Sequence, residues 1–146
     1  MFGYLRALFG CLSGFSLAFS ASEIPIPIAA TIDLDRLIAC IEQKEGAPWS
    51  NSGGALQFTR ATWSDFSTDP YTWASRPDKA RQIARKALLR AIQTMERDGI
   101  KPSVWLLALR WNCGYAGMLK RRHQRWDYAE HVRNLYYDHE FLRTRL

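Results

Sequence analysis

The stretch Leu37 to Trp63, LIACIEQKEGAPWSNSGGALQFTRATW, constrains this chain more than any other. It opens as a run with apolar residues at helical spacing and stops at Glu45-Gly46. Gly46 suits the left-handed residue that closes a helix, and Pro48 prevents continuation. A loop rich in Gly, Ser and Asn follows. The pattern therefore sets one carboxylate on the last turn of an apolar helix, facing small polar residues. A carboxyl group partly withdrawn from water holds its proton more tightly than one in bulk solvent. That property suits acid–base work near neutral pH, and Glu45 is the candidate. The plain alternative is a solvated acid at a helix end.

The rest of the chain reads as more helices. Asp33 caps Leu34 to Glu45, with Leu34, Leu37, Ile38 and Ile41 on one stripe. Glu42 shares a face with Glu45 but not the open end. Ala47 to Gly54 form a loop, where Gly53-Gly54 allows backbone to approach a ligand closely. Thr59 caps a short helix through Phe66, and Asp69-Pro70 marks a turn. Ser75 caps a long helix to about Arg97, with Pro77 and Asp78 in its first turn. Lys101-Pro102-Ser103 opens a helix from Val104 to about Asn112, ended by Gly114. Its Val-Trp-Leu-Leu-Ala-Leu run is apolar nearly all round and predicts the most buried helix. Asp127 caps a last helix from Tyr128 to about Phe141. No stretch alternates long enough for a strand; Asn51 to Phe58 holds at most a small turn. The expectation is an all-α domain of five or six helices over residues 33–146, preceded by an extended, Pro-containing arm at residues 22–32.

A chain of 146 residues holds one domain with a proper core and is short for two. A formal charge of +6 and a pI near 9.5 favour anionic partners, without choosing among nucleic acid, acidic lipid and anionic cell-wall polymer. Residues 1–21 read as an export signal. Arg6 is followed by an uncharged apolar run, and small residues around Ala18-Phe19-Ser20 place cleavage after Ser20 or Ala21. That run is short for a spanning helix. The mature protein is then expected in the periplasm or outside the cell, with no membrane span. Export argues against nucleic acid, for which no recognition motif is visible. Cleavage also removes Cys11 and leaves Cys40 and Cys113, which in an oxidising compartment form either a disulfide or two buried thiols. The spacing of His123, His131 and His139 suits surface residues and not a metal site. The basic run Lys120 to Arg125 reads as a solvated face, or as a holder of an anionic glycan or a peptide carboxylate.

Several pieces, in this order, resemble the lysozyme-like lytic transglycosylases of the goose-type lysozyme superfamily. Glu45-Gly46 closes a helix as their catalytic Glu-Ser or Glu-Gly does. Gly54-Ala55-Leu56-Gln57-Phe58 with Thr62-Trp63 is similar to their Gly-Leu-Met-Gln and Leu-Gln-Phe segments before Thr-Trp or Thr-Phe. Ala108-Leu109-Arg110-Trp111-Asn112-Cys113-Gly114 is similar to their Ala-x-x-Tyr-Asn-Ala-Gly. Asp127-Tyr128-Ala129 with Val132, Asn134, Leu135 and Tyr136 is similar to their final helix. The likeness spans roughly residues 34–138. Trp111 and Cys113 stand where Tyr and Ala are usual, the loop from Glu45 to Gln57 is short, and Tyr115 to Trp126 is a local elaboration.

The resemblance implies a lysozyme-like helical domain with a loop region beside a groove, acting as a monomer on peptidoglycan without metal or cofactor. Glu45 would protonate the bond between N-acetylmuramic acid and N-acetylglucosamine. It would then take the proton of the sugar's own C6 hydroxyl, leaving a 1,6-anhydro end. Hydrolysis by the two-carboxylate route needs a second acid across the sugar, and the loop from Glu45 to Gln57 holds none; Asp65 and Asp69, further on, are the possible candidates. Gln57 donates to substrate or to Glu45, or only satisfies loop backbone. Asn112 shapes the groove or organises a helix end. Tyr128 bonds near Glu45 or buries its ring. Trp49 and Trp63 stack on sugars, although Trp63 suits the core better, and Gly54 admits the ligand. A hydrolytic muramidase and a non-catalytic peptidoglycan-binding module are the competing readings.

Overall fold

A computed structural model describes residues 32–120 and 125–138. The segment expected to be an export signal, all of the expected arm except Ile32, the middle of the basic run, His123, His139 and Phe141 lie outside the described residues. Those residues form α1 (Leu34–Glu45), α2 (Arg60–Ser64), α3 (Pro77–Arg97), α4 (Val104–Leu119) and α5 (Trp126–Tyr137), with a short 3-10 turn at Tyr71–Ser75. No strand occurs among them, so the fold is all-α.

Local chemistry explains most boundaries. The Asp33 carboxylate accepts from the N–H groups of Asp35 and Arg36, satisfying donors that α1 leaves open. Gly46 closes α1 at φ 60°, donating its N–H to the Glu42 carbonyl. Thr59 accepts from the N–H of Thr62 and starts α2. Ser103 does the same for α4 through Leu106.

Three expected ends differ. Ser75 does not cap α3: it ends the 3-10 turn and donates to the Thr72 carbonyl, while Arg76 takes the cap position without a side-chain bond. Asp127 lies in the first turn of α5, which begins at Trp126; there its charge still suits the positive end of the helix. Gly114 (φ 70°, ψ 177°) breaks α4 as expected, but the chain re-enters helix beyond the bend and continues to Leu119.

The helix α1 is central, packed against both α3 and α5, while α4 lies along α5 and touches α3. Leu37, Ile41, Leu88, Met95, Leu107 and Val132 are among the residues that meet in one core. Burying each such side chain stabilises the fold by about 1.5–3 kcal/mol. Tyr136 ties the last helix to the first, its hydroxyl accepting from the Asp33 N–H at 2.8 Å. Trp63 is buried in the core and its indole N–H donates to the Asp69 carbonyl.

The expectation that α4 is the most buried helix is corrected. Trp105, Leu106 and residues 110–113 are only half-buried, whereas α1 buries Leu34, Leu37, Ile38, Cys40, Ile41 and Glu42. The reason is that part of α4 faces an open groove, lined by Leu107, Arg110, Trp111 and Asn112 of that helix. No helix among the described residues is long and apolar enough to cross a membrane.

Candidate active site

The groove has a volume of about 860 Å³ and is walled by the end of α1, the loop before α2, α2 itself, α3 and the bend of α4. Glu45 lines it from the last residue of α1. The pattern that ends the helix is also what presents the acid. Gly46 turns the chain away through a left-handed residue, so the final side chain is not covered by a further helical turn.

Behind Glu45 stands Tyr128 of α5, outside the groove lining. Its hydroxyl donates to Glu45 Oε1 at 2.7 Å. Burial pushes the Tyr128 hydroxyl well above its ordinary range, and the bond to Glu45 pushes it the same way. Tyr128 therefore stays protonated and remains a donor. One oxygen of the Glu45 carboxylate, Oε1, is thus held by Tyr128.

Three carboxyl groups stand near this region, and their surroundings separate their roles. Glu42, one turn before Glu45, is only 8% exposed. Both of its oxygens accept from Arg81, Oε1 from Nε at 2.6 Å and Oε2 from Nη2 at 2.8 Å. That bond raises the Arg81 pKa further, against the opposing effect of burial. Glu42 is thus a structural anion with no oxygen to spare. Asp65, at the end of α2, is exposed and lines the same groove as Glu45. The fold brings into the site a second acid that no motif marks.

The other expected residues divide. Gln57 lines the groove, exposed and at φ 52°, but its side-chain amide donates to the Gly54 carbonyl at 2.8 Å. Of the roles open to it, the loop-backbone role is the one present. Asn112 lines the groove with its Oδ1 buried and without a partner among the described residues. An unmet buried acceptor is costly and calls for a donor from a ligand or water.

Gly54 is corrected. It is buried, and a Cβ built on it falls 1.9 Å from the Ala74 carbonyl oxygen and 3.3 Å from the Trp49 ring. Its close approach is to the protein's own backbone and not to a ligand. Trp49 is corrected with it: half-buried against the core, it lies under the Arg81 guanidinium, 5.6 Å from the ring centroid, and does not line the groove. Of the two alternatives for Cys40 and Cys113, the disulfide is the one not formed among the described residues, and the Cys113 thiol donates to the Leu109 carbonyl. Cys40 is fully buried in α1.

Reading the sequence missed the basic wall. Arg90, Thr94 and Arg97 of α3 line the groove together with Arg110 of α4. Their spacing at positions 90, 94 and 97 was a visible signal, since residues three and four apart share a helix face. No group of three or more His, Cys, Asp or Glu that could hold a metal ion occurs among the described residues. Comparison with protein families, curated proteins and solved structures finds no match for this chain.

Proposed function

We propose that this protein cleaves the glycan strands of peptidoglycan as a lytic transglycosylase, with Glu45 as its single acid and base. The observation that carries the reading is the pairing of Glu45 with Tyr128. A carboxyl group opens onto a groove of about 860 Å³ while a buried hydroxyl that stays protonated grips its far oxygen at 2.7 Å.

In this reading Glu45 gives its proton to the glycosidic oxygen between N-acetylmuramic acid and N-acetylglucosamine as that bond breaks. The substrate's acetamido group shields the developing positive charge at the anomeric carbon. The C6 hydroxyl of the same muramic ring then attacks that carbon and returns its proton to Glu45. The products are a 1,6-anhydromuramic end and a free N-acetylglucosamine end, and the enzyme is restored. Glu42 is excluded from this role by its two bonds to Arg81.

A second reading, a hydrolytic muramidase, is favoured by Asp65, which supplies another carboxylate to the groove. The experiment incubates the protein with purified peptidoglycan and analyses the released muropeptides by mass. Anhydro ends are expected; reducing ends would replace the first reading with the second. Glu45→Gln is expected to abolish release with the fold intact by circular dichroism. A folded Glu45→Gln protein that still releases muropeptides at the wild-type rate would exclude both readings.

A further inference from the structure

We infer that the wall where the last turns of α3 meet the Gly114 bend is an anion subsite, built from Arg90, Arg97 and Arg110, that holds a carboxylate carried by the glycan strand. The inference rests on the glycan-cleaving reading and adds a recognition element that the proton chemistry does not need.

Arg90, Arg97 and Arg110 all line the groove. Arg110 Nη1 is buried without a hydrogen-bond partner among the described residues. A buried guanidinium N–H left unmet costs free energy that an anion would recover. Asp98, whose charge acts on Arg110, is already committed. Asp98 Oδ1 accepts from Arg97 Nε at 3.0 Å, and Oδ2 accepts from the Tyr115 hydroxyl. That Tyr115 ring lies under the Arg110 guanidinium, 4.6 Å from its carbon to the centroid. Asp98 and Tyr115 therefore fix the cluster without answering Arg110.

Arg90 is placed over the Phe66 ring at 5.6 Å. Burial lowers the Arg110 pKa and the Arg90 charge lowers it further, against the opposing pull of Tyr115 and Asp98. Arg90 and Arg110 thus bring two guanidinium groups to the lining of one groove. A planar carboxylate accepting from a guanidinium pair in a fork is the ligand this arrangement fits. A polyanion such as nucleic acid fits less well, because Glu45 and Asp65 line the same groove and would repel it. On a peptidoglycan strand the carboxylate has two sources, the lactyl group of muramic acid and the stem peptide.

The test is calorimetric binding in a Glu45→Gln background, so that no substrate is consumed. Four ligands of equal sugar length are compared: a strand with a stem peptide, the same strand with every carboxylate amidated, a peptide-free strand with lactyl carboxylates, and a chito-oligosaccharide. At least one carboxylate-bearing strand is expected to bind about tenfold tighter than the amidated strand, and which one does so names the source. Adding Arg110→Gln is expected to erase that difference, and Arg110→Lys to restore part of it, while both melt as the parent does.

Equal binding of amidated and free strands, or discrimination that survives Arg110→Gln, overturns the subsite and leaves the glycan reading standing if chito-oligosaccharide still binds. Failure of every glycan to bind removes the glycan reading and the subsite with it. Displacement by a duplex oligonucleotide at lower concentration than by any glycan also overturns the inference.

Discussion

The bond from Tyr128 to Glu45 joins residues 83 positions apart and supplies the acid with a fixed orientation. Tyr128→Phe removes the grip without emptying the space the ring fills. In the proposed reaction, the carboxylate then samples rotamers that point its free oxygen away from the bond to be cleaved. We expect kcat for muropeptide release to fall by between about tenfold and a hundredfold, with KM nearly unchanged, as measured by initial rates. Glu45 itself was legible because Glu-Gly followed by Ala-Pro is a helix-end signal that strands one carboxylate. Tyr128 was legible only as a choice between site and core. Gly54 was misread because a glycine admits any close neighbour, and one-dimensional sequence does not say whether that neighbour is a ligand or a carbonyl. Trp49 follows the same logic, since an aromatic face serves an arginine as well as a sugar.

At the scale of elements, two junctions hold the groove walls in place. The first is α1 to α3 through Glu42 and Arg81. The pair is asymmetric, with the Glu42 side chain 7% exposed and that of Arg81 50% exposed. Arg81→Ala leaves a carboxylate buried without a partner and is expected to cost about 2 kcal/mol, below the range for a fully buried pair because water reaches the arginine side. Glu42→Leu should cost less, since the released guanidinium can turn to solvent. Urea denaturation of the two variants checks the order; equal losses would show that the desolvated carboxylate does not dominate.

The second junction is the loop before α2 against the 3-10 turn. At Gly54 (φ 64°) an added Cβ would fall 1.9 Å from the Ala74 carbonyl oxygen. Gly54→Ala must displace backbone and is expected to cost about 3 kcal/mol or more, read as a lower thermal midpoint. Wild-type stability in that variant would mean the turn is free to move. Helix starts with a real capping side chain, at Asp33, Thr59 and Ser103, were placed correctly. The caps of α3 and α5 were placed slightly off, at Ser75 and Asp127 instead of Arg76 and Arg125, because neither helix has a capping side chain.

Over the whole molecule, tyrosines clasp distant segments and make stability depend on alkaline pH. Burial is the main cause that raises Tyr128 and Tyr136 above the ordinary value of 10.0. Their folded pKa values exceed the unfolded ones, so the stabilisation is complete below the unfolded pKa and is lost as pH rises beyond it. Urea midpoints should stay level up to about pH 10 and fall above it, because the unfolded chain then sheds protons that the folded chain keeps. Tyr128→Phe is expected to flatten that fall. An unchanged alkaline slope would show that Tyr128 is not held protonated by its surroundings. The all-α class was legible throughout, because apolar residues recur at helical spacing and no run alternates. The second acid in the groove, Asp65, was legible only as one of two possibilities beside Asp69, since nothing in its neighbours along the chain marks it.

Periodicity, caps and breakers are local, and so the sequence by itself determined the helices, the end of α1 and the residue it presents. Which side chains face one another across the groove is a property of helix packing. Tyr128 behind Glu45, Arg81 on Glu42, Asp65 in one groove with Glu45, and Arg110 in that groove with Arg90 and Arg97 all depend on pairs well separated in the chain. Such pairs are chosen by how the helices share a core, and that choice leaves no mark in the residues adjacent to either partner.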